Sequence, residues 1–329
     1  MSEGCLVKRA VHIAFFVFLI SSLNIGSGWA AGAGLTPITE PPNAYVLPSN
    51  LCGLPDASAG LQAALNAAAG GALWIPDGCI VNTYATSLIP SNTTIACGQG
   101  TTIHSTVPLS CSGEPSSLTS EGASNITVEG CTFTGNYTFS IAAQINAMCG
   151  PVGLWNGSDP ADFYSGSNIT FTDNAVTNLF GMLLFDQNSN VTVSNNYFAQ
   201  NYGGMQISNC KNCNVTGNTS LDSGWAVEDA WALPAGYDTV SWSNNVFACD
   251  STGEGAMVAN SGNAAYYGGH CVWKIGGCSV AVCTPGEYSN VGVQNNTITG
   301  PASTLLTSPS MGTFPTSNSF TNGAYPTTR

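Results

Sequence analysis

The sequence predicts an all-β protein, a right-handed parallel β-helix with a short N-terminal capping helix. Short segments in which an asparagine precedes a strand recur along the chain, and the asparagines Asn174, Asn196 and Asn218 lie 22 residues apart. Each segment follows a short strand with alternating apolar residues, such as 190–193. A period of this size with two or three short strands per repeat is typical of one coil of a β-helix.

The repeated asparagines are expected to have a structural role. Asn245 and Asn296 continue the pattern after longer insertions, and an earlier copy has Cys131 at the equivalent position. An asparagine that recurs at the same turn of every coil can hydrogen-bond the coils above and below it, which predicts a ladder of side chains along the axis. This interpretation is favoured over a functional one for all five asparagines.

The segment before the repeats predicts the capping helix. Residues 60–69 have a helical composition, and Gly70-Gly71 is a typical helix end. A strand over 72–76 follows and closes with Asp77-Gly78. A helix in this place can cover the apolar end of the first coil and block pairing at its edges.

The first thirty residues predict an export signal. Lys8 and Arg9 precede an apolar run over 11–20, and small residues lead to a cleavage position after Ala30. The alternative is an uncleaved anchor, but the run is short for a membrane span of about 20 residues. We therefore expect a secreted protein with a signal peptide at 1–30, an extension at 31–54, a β-helix domain at 55–300 and a tail at 301–329.

The cysteines fit an exported protein. The chain has 13 cysteines, and removal of Cys5 with the signal leaves an even number, which indicates disulfides. Cys210 and Cys213 have the spacing of redox and zinc sites, but the surrounding sequence favours a structural disulfide or two separate bridges.

The excess of acidic residues limits the kinds of molecule that the protein can bind. The chain has 18 acidic and 5 basic residues, and without Glu3, Lys8 and Arg9 these become 17 and 3. Such a surface repels nucleic acid and anionic membranes, so we expect neither as a partner after the signal is removed. It also disfavours a polyanionic substrate, unless bound calcium changes the local sign of charge. The mature chain is expected to be a monomer.

Three segments of this chain resemble a known superfamily. GLQAALNAAAGG (60–71), LWIPDG (73–78) and SNTTI (91–95) are similar to the opening segment of the pectate-lyase-like superfamily, which includes polygalacturonases and polysaccharide lyases. The resemblance is close there and loose over 55–300. It implies the β-helix fold and a polysaccharide or other glycan as partner, although many chemistries share this fold.

Three glycine-led copies, 181–186, 204–209 and 224–229, predict where chemistry could lie. Aligned at their glycines, they place Leu183, Phe185, Gln206, Ser208, Ala226 and Glu228 on the outer face, with Asp186, Asn209 and Asp229 at the strand ends. Asp186 is then about 10 Å along the axis from Glu228 and Asp229, because coils stack about 4.8 Å apart. This is the backbone separation, and the side chains could close it to the range that suits acid and base roles in an inverting hydrolase. The alternatives are a calcium site and simple capping of turns by Asp and Asn.

Two long insertions flank this face and supply the remaining candidates. We expect Gln206 and five loop aromatic residues to bind a sugar, and His270 and Lys274 to assist catalysis. The aromatic residues are Trp231, Tyr237, Tyr266, Tyr267 and Trp273. Loops of this length usually have a function, although the rings could equally pack against the helix wall.

The catalytic pattern of the resembled superfamily is incomplete here. Polygalacturonase-like members have Asn-Thr-Asp, Asp-Asp, Gly-His-Gly and Arg-x-Lys motifs, whereas this chain has only Glu228-Asp229, Gly269-His270-Cys271 and Lys274, with other spacing. The coil body contains no arginine, so a lyase would depend on a lysine and bound calcium. The sequence thus favours a secreted polysaccharide hydrolase. A calcium-assisted lyase and a non-catalytic glycan-binding β-helix are the alternatives.

Overall fold

The structure is a computed structural model. It describes residues 35–107, 116–137, 159–181, 183–201, 203–223, 225–230, 239–249, 271–278, 291–300, 303–307, 317–321 and 325–328, with the backbone alone for 225–230, 271–278, 303–307 and 325–328. Within these residues, no helix has the length and hydropathy that crossing a bilayer requires.

The described strands form three parallel sheets of nine strands each. Sheet A contains β1 (Tyr45–Val46), β2 (Ala72–Ile75), β5 (Thr93–Cys97), β8 (Ser124–Glu129), β11 (Ser167–Thr172), β14 (Ser189–Ser194), β17 (Lys211–Thr216), β20 (Val240–Ser243) and β23 (Gly292–Gln294). Sheet B contains β3 (Ile80–Thr83), β6 (Thr102–Ser105), β9 (Thr132–Thr134), β12 (Ala175–Thr177), β15 (Tyr197–Ala199), β18 (Thr219–Leu221), β21 (Val246–Ala248), β24 (Thr297–Thr299) and β26 (Ser319–Thr321). Sheet C contains β4 (Ser87–Leu88), β7 (Leu118–Glu121), β10 (Ala161–Tyr164), β13 (Leu183–Asp186), β16 (Met205–Ser208), β19 (Trp225–Ala230), β22 (Cys271–Cys278), β25 (Ser303–Thr307) and β27 (Tyr325–Thr328).

The chain visits the sheets in the order A, B, C and then returns to A one coil further along, which makes the molecule a parallel β-helix. Connections between parallel strands of one sheet are right-handed in nearly all proteins, and the predicted right-handed fold is confirmed. The core is a stack of inward-facing apolar side chains, for example Ile126, Ile169 and Val191, which are register partners in sheet A and fully buried. Alternate positions face outward, as strand geometry requires.

The predicted asparagine ladder is present between sheets A and B. The side-chain nitrogen of Asn174 donates to Oδ1 of Asn196 at 3.2 Å, and that of Asn196 donates to Oδ1 of Asn218 at 2.9 Å. The ladder continues through Asn245 and Asn296 to Asn318. Each rung also holds backbone groups of the adjacent coils, so the prediction of a structural role is confirmed.

A second, exposed ladder was not predicted. It runs through Asn92, Asn125, Asn168, Asn190 and Asn212, whose side chains are linked by hydrogen bonds of 2.7–3.2 Å. All five have φ between 54° and 58°, a left-handed conformation that asparagine tolerates better than most residues. The repeat therefore selects asparagine twice per coil, once for buried hydrogen bonds and once for a turn.

The capping helix α1 spans Ser58–Ala67, two residues earlier than predicted. It begins there because the carboxylate of Asp56 accepts hydrogen bonds from the backbone nitrogen of Ser58 at 2.9 Å and from its hydroxyl at 2.6 Å. These bonds lower the pKa of Asp56. Leu61 and Leu65 are buried against the first coil, so the helix covers the open end of the core as the sequence predicts.

Disulfides join neighbouring coils at the N-terminal end and close one turn further along. Cys52 pairs with Cys79, and Cys97 pairs with Cys131. Cys131, the residue that replaces asparagine in the repeat, also donates its backbone nitrogen to Oδ1 of Asn174 at 2.9 Å. Cys210 and Cys213 are bonded to each other, which selects a structural disulfide from the two predicted alternatives.

Candidate active site on sheet C

The outer face of sheet C carries two columns of residues that the register brings together. The first column contains Thr119, Asp162, Leu184, Gln206, Val227 and Lys274. The second column contains Glu121, Tyr164, Asp186, Ser208 and Asp229. In the second column acids alternate with hydroxyl residues, so consecutive acids are two coils apart, or about 10 Å along the axis.

The glycine-based alignment of these strands is wrong by one residue. Leu183 and Phe185, predicted to face outward, are 0 % exposed in the core and pair with Met205 and Ile207. Ala226 and Glu228 likewise occupy the register positions of Met205 and Ile207. A shift of one residue exchanges the two faces of a strand, so of the four predicted outer residues whose side chains the structure describes, only Gln206 and Ser208 keep outward positions.

A groove of about 550 Å³ lies on this face over three consecutive coils, within the range of about 300–1,000 Å³ that is usual for ligand sites. Its lining residues are Tyr164, Leu184, Asp186, Gln187, Gln206, Ser208 and Asn209. Two residues predicted from the sequence, Asp186 and Gln206, are therefore in the same groove.

Amide groups hold the carboxylate of Asp186 in place. The side-chain nitrogen of Asn209 donates to Oδ1 of Asp186 at 2.9 Å, and that of Gln187 donates to Oδ2 at 3.5 Å. In the next coil, the side-chain nitrogen of Gln206 donates to Oγ of Ser208 at 2.9 Å. These hydrogen bonds fix the orientation of the Asp186 carboxylate at the groove, which suits a group that contacts a sugar or positions water.

The turns that follow the strands of sheet C position the amide side chains of Gln187 and Asn209. Ser165, Gln187 and Asn209 follow β10, β13 and β16, and all three have φ between 52° and 57°. The buried side chain of Asn188 fixes the turn after β13, because its nitrogen donates to the backbone oxygen of Phe163 at 2.7 Å and to that of Asp186 at 3.0 Å. The end of β13 is thereby bound to the preceding coil.

Tyr164 lies among four acidic side chains. Burial raises the pKa of its phenol, and the negative charges of Asp162, Asp159, Asp186 and Glu121 raise this pKa further. The phenol is thus neutral over the whole physiological range and can donate or accept a hydrogen bond. It does not suit the role of a base.

Asp162, on the strand next to the groove, is an acid that the sequence analysis did not consider. Its neighbours Ala161 and Phe163 are in the core, so Asp162 is on the outer face, where only 8 % of it is exposed. Oδ1 of Asp162 is buried without a hydrogen-bond partner. Burial raises the pKa of Asp162 to about 7, and a hydrogen bond with the side chain of Ser116 opposes the shift.

A signal for Tyr164 exists in the repeat. The spacing of 22 residues that relates Asn174 to Asn196 also relates Tyr164 to Asp186. The same rule places Ser208, and not Asn209, beside Asp186.

The structure places the remaining candidates only in part. By register, Asp229 is in the column of Asp186, Lys274 is in the column of Gln206, and Trp273 pairs with Ala226. The pairing of β19 with β22 is irregular between Glu228 and Asp229. Trp231, Tyr237, Tyr266, Tyr267 and His270 lie outside the described residues.

The groove does not have the donor set of a calcium site. Calcium needs six to eight oxygen ligands at 2.3–2.6 Å, whereas the carboxylate of Asp186 is occupied by amide nitrogens and the next acid of its column is two coils away. In the part of the chain that the structure describes, His, Cys, Asp and Glu form no group of three or more that could hold a metal ion.

Comparisons with known proteins agree with the architecture. The family model described as "Right handed beta helix region" matches residues 79–248, which is more than half of the chain. A search of curated proteins found no match. An exopolygalacturonase from Thermotoga maritima superposes with a TM-score of 0.55 at 13 % identity, over 84 % of this chain and 71 % of the other.

Two further solved structures are similar to this chain. A polygalacturonase from Erwinia carotovora has a TM-score of 0.52 at 12 % identity, over 88 % of this chain and 79 % of its own. A family 28 exopolygalacturonase from Yersinia enterocolitica has a TM-score of 0.53 at 12 % identity, over 80 % of this chain and 59 % of its own. At these identities the similarity shows a shared fold.

Proposed function

Because the chain belongs to the right-handed β-helix family, we propose that it is a secreted protein that binds a polysaccharide along the outer face of sheet C and hydrolyses it. One observation carries this proposal: the groove holds a carboxylate, Asp186, that amide groups fix in place at the centre of a row of polar side chains. The row runs along the axis of the molecule. A linear chain of sugars could therefore contact several coils at once.

The polysaccharide substrate is also supported by the names of the similar solved structures, three of which are polygalacturonases. The charge of the groove argues for a different polymer. Asp159, Asp186 and Glu121 lie around Tyr164, and a polyanion such as polygalacturonate would be repelled there. We infer a neutral polysaccharide.

Asp186 is one carboxylate of the proposed catalytic pair, and the register offers a second carboxyl on each side of it. Asp229 is two coils further along the same column, about 10 Å away. Asp162 is one coil back and two residues along its strand, a diagonal of about 8 Å at the backbone. Glu228 occupies the column of the core residue Ile207, so the register favours Asp229 over Glu228.

The loop residues of the sequence analysis complete the proposal. His270 and Lys274 are proposed to assist the reaction, while Trp231, Tyr237, Tyr266, Tyr267 and Trp273 are proposed to stack on sugar rings. Secretion is supported by the disulfides, which persist in oxidising compartments.

Product analysis tests the proposal. The full chain is incubated with arabinan, galactan, xyloglucan, mixed-linkage glucan and polygalacturonate, and new reducing ends are measured together with ultraviolet absorbance. We expect reducing ends from a neutral polymer without absorbance, and loss of about 10²- to 10⁴-fold in rate for Asp186→Asn.

Asp173→Asn is the matched control. Asp173 is on a turn between sheets A and B with φ of 53°, a conformation that asparagine also tolerates. Absorbance from unsaturated ends would favour a lyase. Binding of a polymer without cleavage would favour the non-catalytic alternative.

A further inference from the structure

The proposed hydrolysis needs one carboxyl that carries a proton and one that does not. We propose that Asp162 is the proton donor of the groove and that Asp186 is the carboxylate that activates water. This assignment rests on the proposed function. It gives a role to a residue that neither the repeat nor the resemblance had singled out.

Position is the first argument. Asp162 and Leu184 are register partners on adjacent strands, and Leu184 lines the groove. Asp162 is not itself a lining residue, but a sugar over Leu184 would lie one strand away from it. Tyr164 stands two residues further along the same strand and is itself the partner of Asp186. The backbone diagonal of about 8 Å between Asp162 and Asp186 follows from the strand spacing, and the carboxyl groups of inverting enzymes are about 6.5–9.5 Å apart.

The contrasting environments of the two carboxyls are the second argument. Asp186 is partly exposed and accepts hydrogen bonds from two amides. Asp162 is nine-tenths buried, and its Oδ1 has no partner that would stabilise a charge. A low-dielectric site disfavours the charged form of an acid, and pairs of carboxyls whose environments differ in this way take the acid and base roles of such reactions.

Burial outweighs the hydrogen bond with the side chain of Ser116, which favours the charged form of Asp162. The ionisable residues around Tyr164, two residues along β10 from Asp162, are Glu121 on β7, Asp159 before β10 and Asp186 on β13. Among these described neighbours there is no cation that would stabilise a negative charge on Asp162. Burial raises its pKa to about 7, so a large share of the molecules carry the proton at neutral pH.

The step balances as follows. Asp162 gives its proton to the glycosidic oxygen as the bond from the anomeric carbon to that oxygen breaks. Water adds to the anomeric carbon, and Asp186 accepts the proton of that water. The products are two sugar chains, and one proton returns to Asp162 through solvent as one leaves Asp186.

Asp162→Asn tests the assignment on the polysaccharide that the wild type cleaves. The expected result is a loss of about 10²- to 10⁴-fold in kcat with unchanged binding of the polymer. Activity should be largely retained on the 2,4-dinitrophenyl glycoside of the released sugar, because this leaving group needs no proton. Asp186→Asn should lose activity on both substrates, and Asp229→Asn should be the milder variant if Asp162 is the donor.

Carbon-13 titration of the aspartate carboxyls in the full chain provides a readout that does not depend on activity. A resonance that titrates near pH 7 should disappear in Asp162→Asn. The assignment is refuted if Asp162 titrates in the ordinary range, or if Asp162→Asn is impaired equally on both substrates. If the wild type cleaves no polymer of the panel, the proposed function itself fails, and the donor role fails with it.

Discussion

Removing one rung of the buried ladder should be far more costly than removing one rung of the exposed ladder. The two ladders share the 22-residue period and similar hydrogen-bond lengths, so burial is the main variable between them. Asn196 is 1 % exposed, whereas Asn190 is exposed. The proposed variants are Asn196→Ala and Asn190→Gly. Glycine is chosen at Asn190 because its φ is 54°, which glycine adopts without strain.

The magnitude follows from the groups that lose their partners. The Asn196 side chain accepts from the backbone nitrogen of Asn174 at 2.9 Å and donates to the backbone oxygen of Phe171 at 2.9 Å. An unsatisfied buried group costs about 1–3 kcal/mol, so Asn196→Ala should lower the free energy of unfolding by about 2–6 kcal/mol. Asn190→Gly leaves only groups that water can reach, and should cost less than about 1.5 kcal/mol.

Urea unfolding monitored by circular dichroism measures the difference. A common slope should be confirmed for both variants and the wild type, because stacked coils can depart from two-state behaviour. The prediction is refuted if both variants lose the same free energy of unfolding, or if Asn196→Ala loses less than about 1 kcal/mol. Either result would show that buried hydrogen bonds are not what makes Asn196 important for stability.

Three further outcomes are expected. The pKa of Asp162 is raised in the folded state, from 3.8 to about 7. The folded protein therefore gains most from this group below pH 4, where Asp162 is protonated in the folded and the unfolded chain. This contribution to the free energy of unfolding is lost as pH rises from about 4 to 7. Asp162→Asn should remove this loss, which is worth about 4 kcal/mol at 1.36 kcal/mol per unit of pKa shift. Thermal melts of the wild type and the variant at pH 4 and pH 8 measure the effect. A difference in stability between the two proteins that is the same at both pH values would contradict the prediction. Replacing Cys97 and Cys131 by alanine should lower the free energy of unfolding by about 4 kcal/mol, because the disulfide closes a loop of 34 residues. Urea unfolding measures this change. A change below about 1 kcal/mol would show that the neighbouring coils already fix this loop. Asn209→Gly removes the amide that donates to the carboxylate of Asp186. It should slow hydrolysis by about tenfold or more, since a hydrogen bond to a charged group is worth about 1.5–3 kcal/mol. An unchanged kcat would show that Asp186 needs no such hydrogen bond.

The sequence by itself determined the coil and its repeat. The spacing of Asn174, Asn196 and Asn218 predicted the ladder, because one residue type at one turn of each coil has only the adjacent coils as partners. The capping helix was predicted from its composition and from the glycines that end it. These features depend on neighbours in sequence or on a strict period, so they can be read from the chain.

The tertiary structure decided between two possible alignments of the strands at the groove, and it alone decided how the side chains ionise. Glycine positions placed Leu183 and Phe185 outside, whereas the period of 22 residues would have placed them inside; a shift of one residue reverses both faces of a strand. The importance of Asp162 depends on its burial among residues of other coils. Burial and charge are properties of the packed molecule, and no local pattern around Asp162 reveals them.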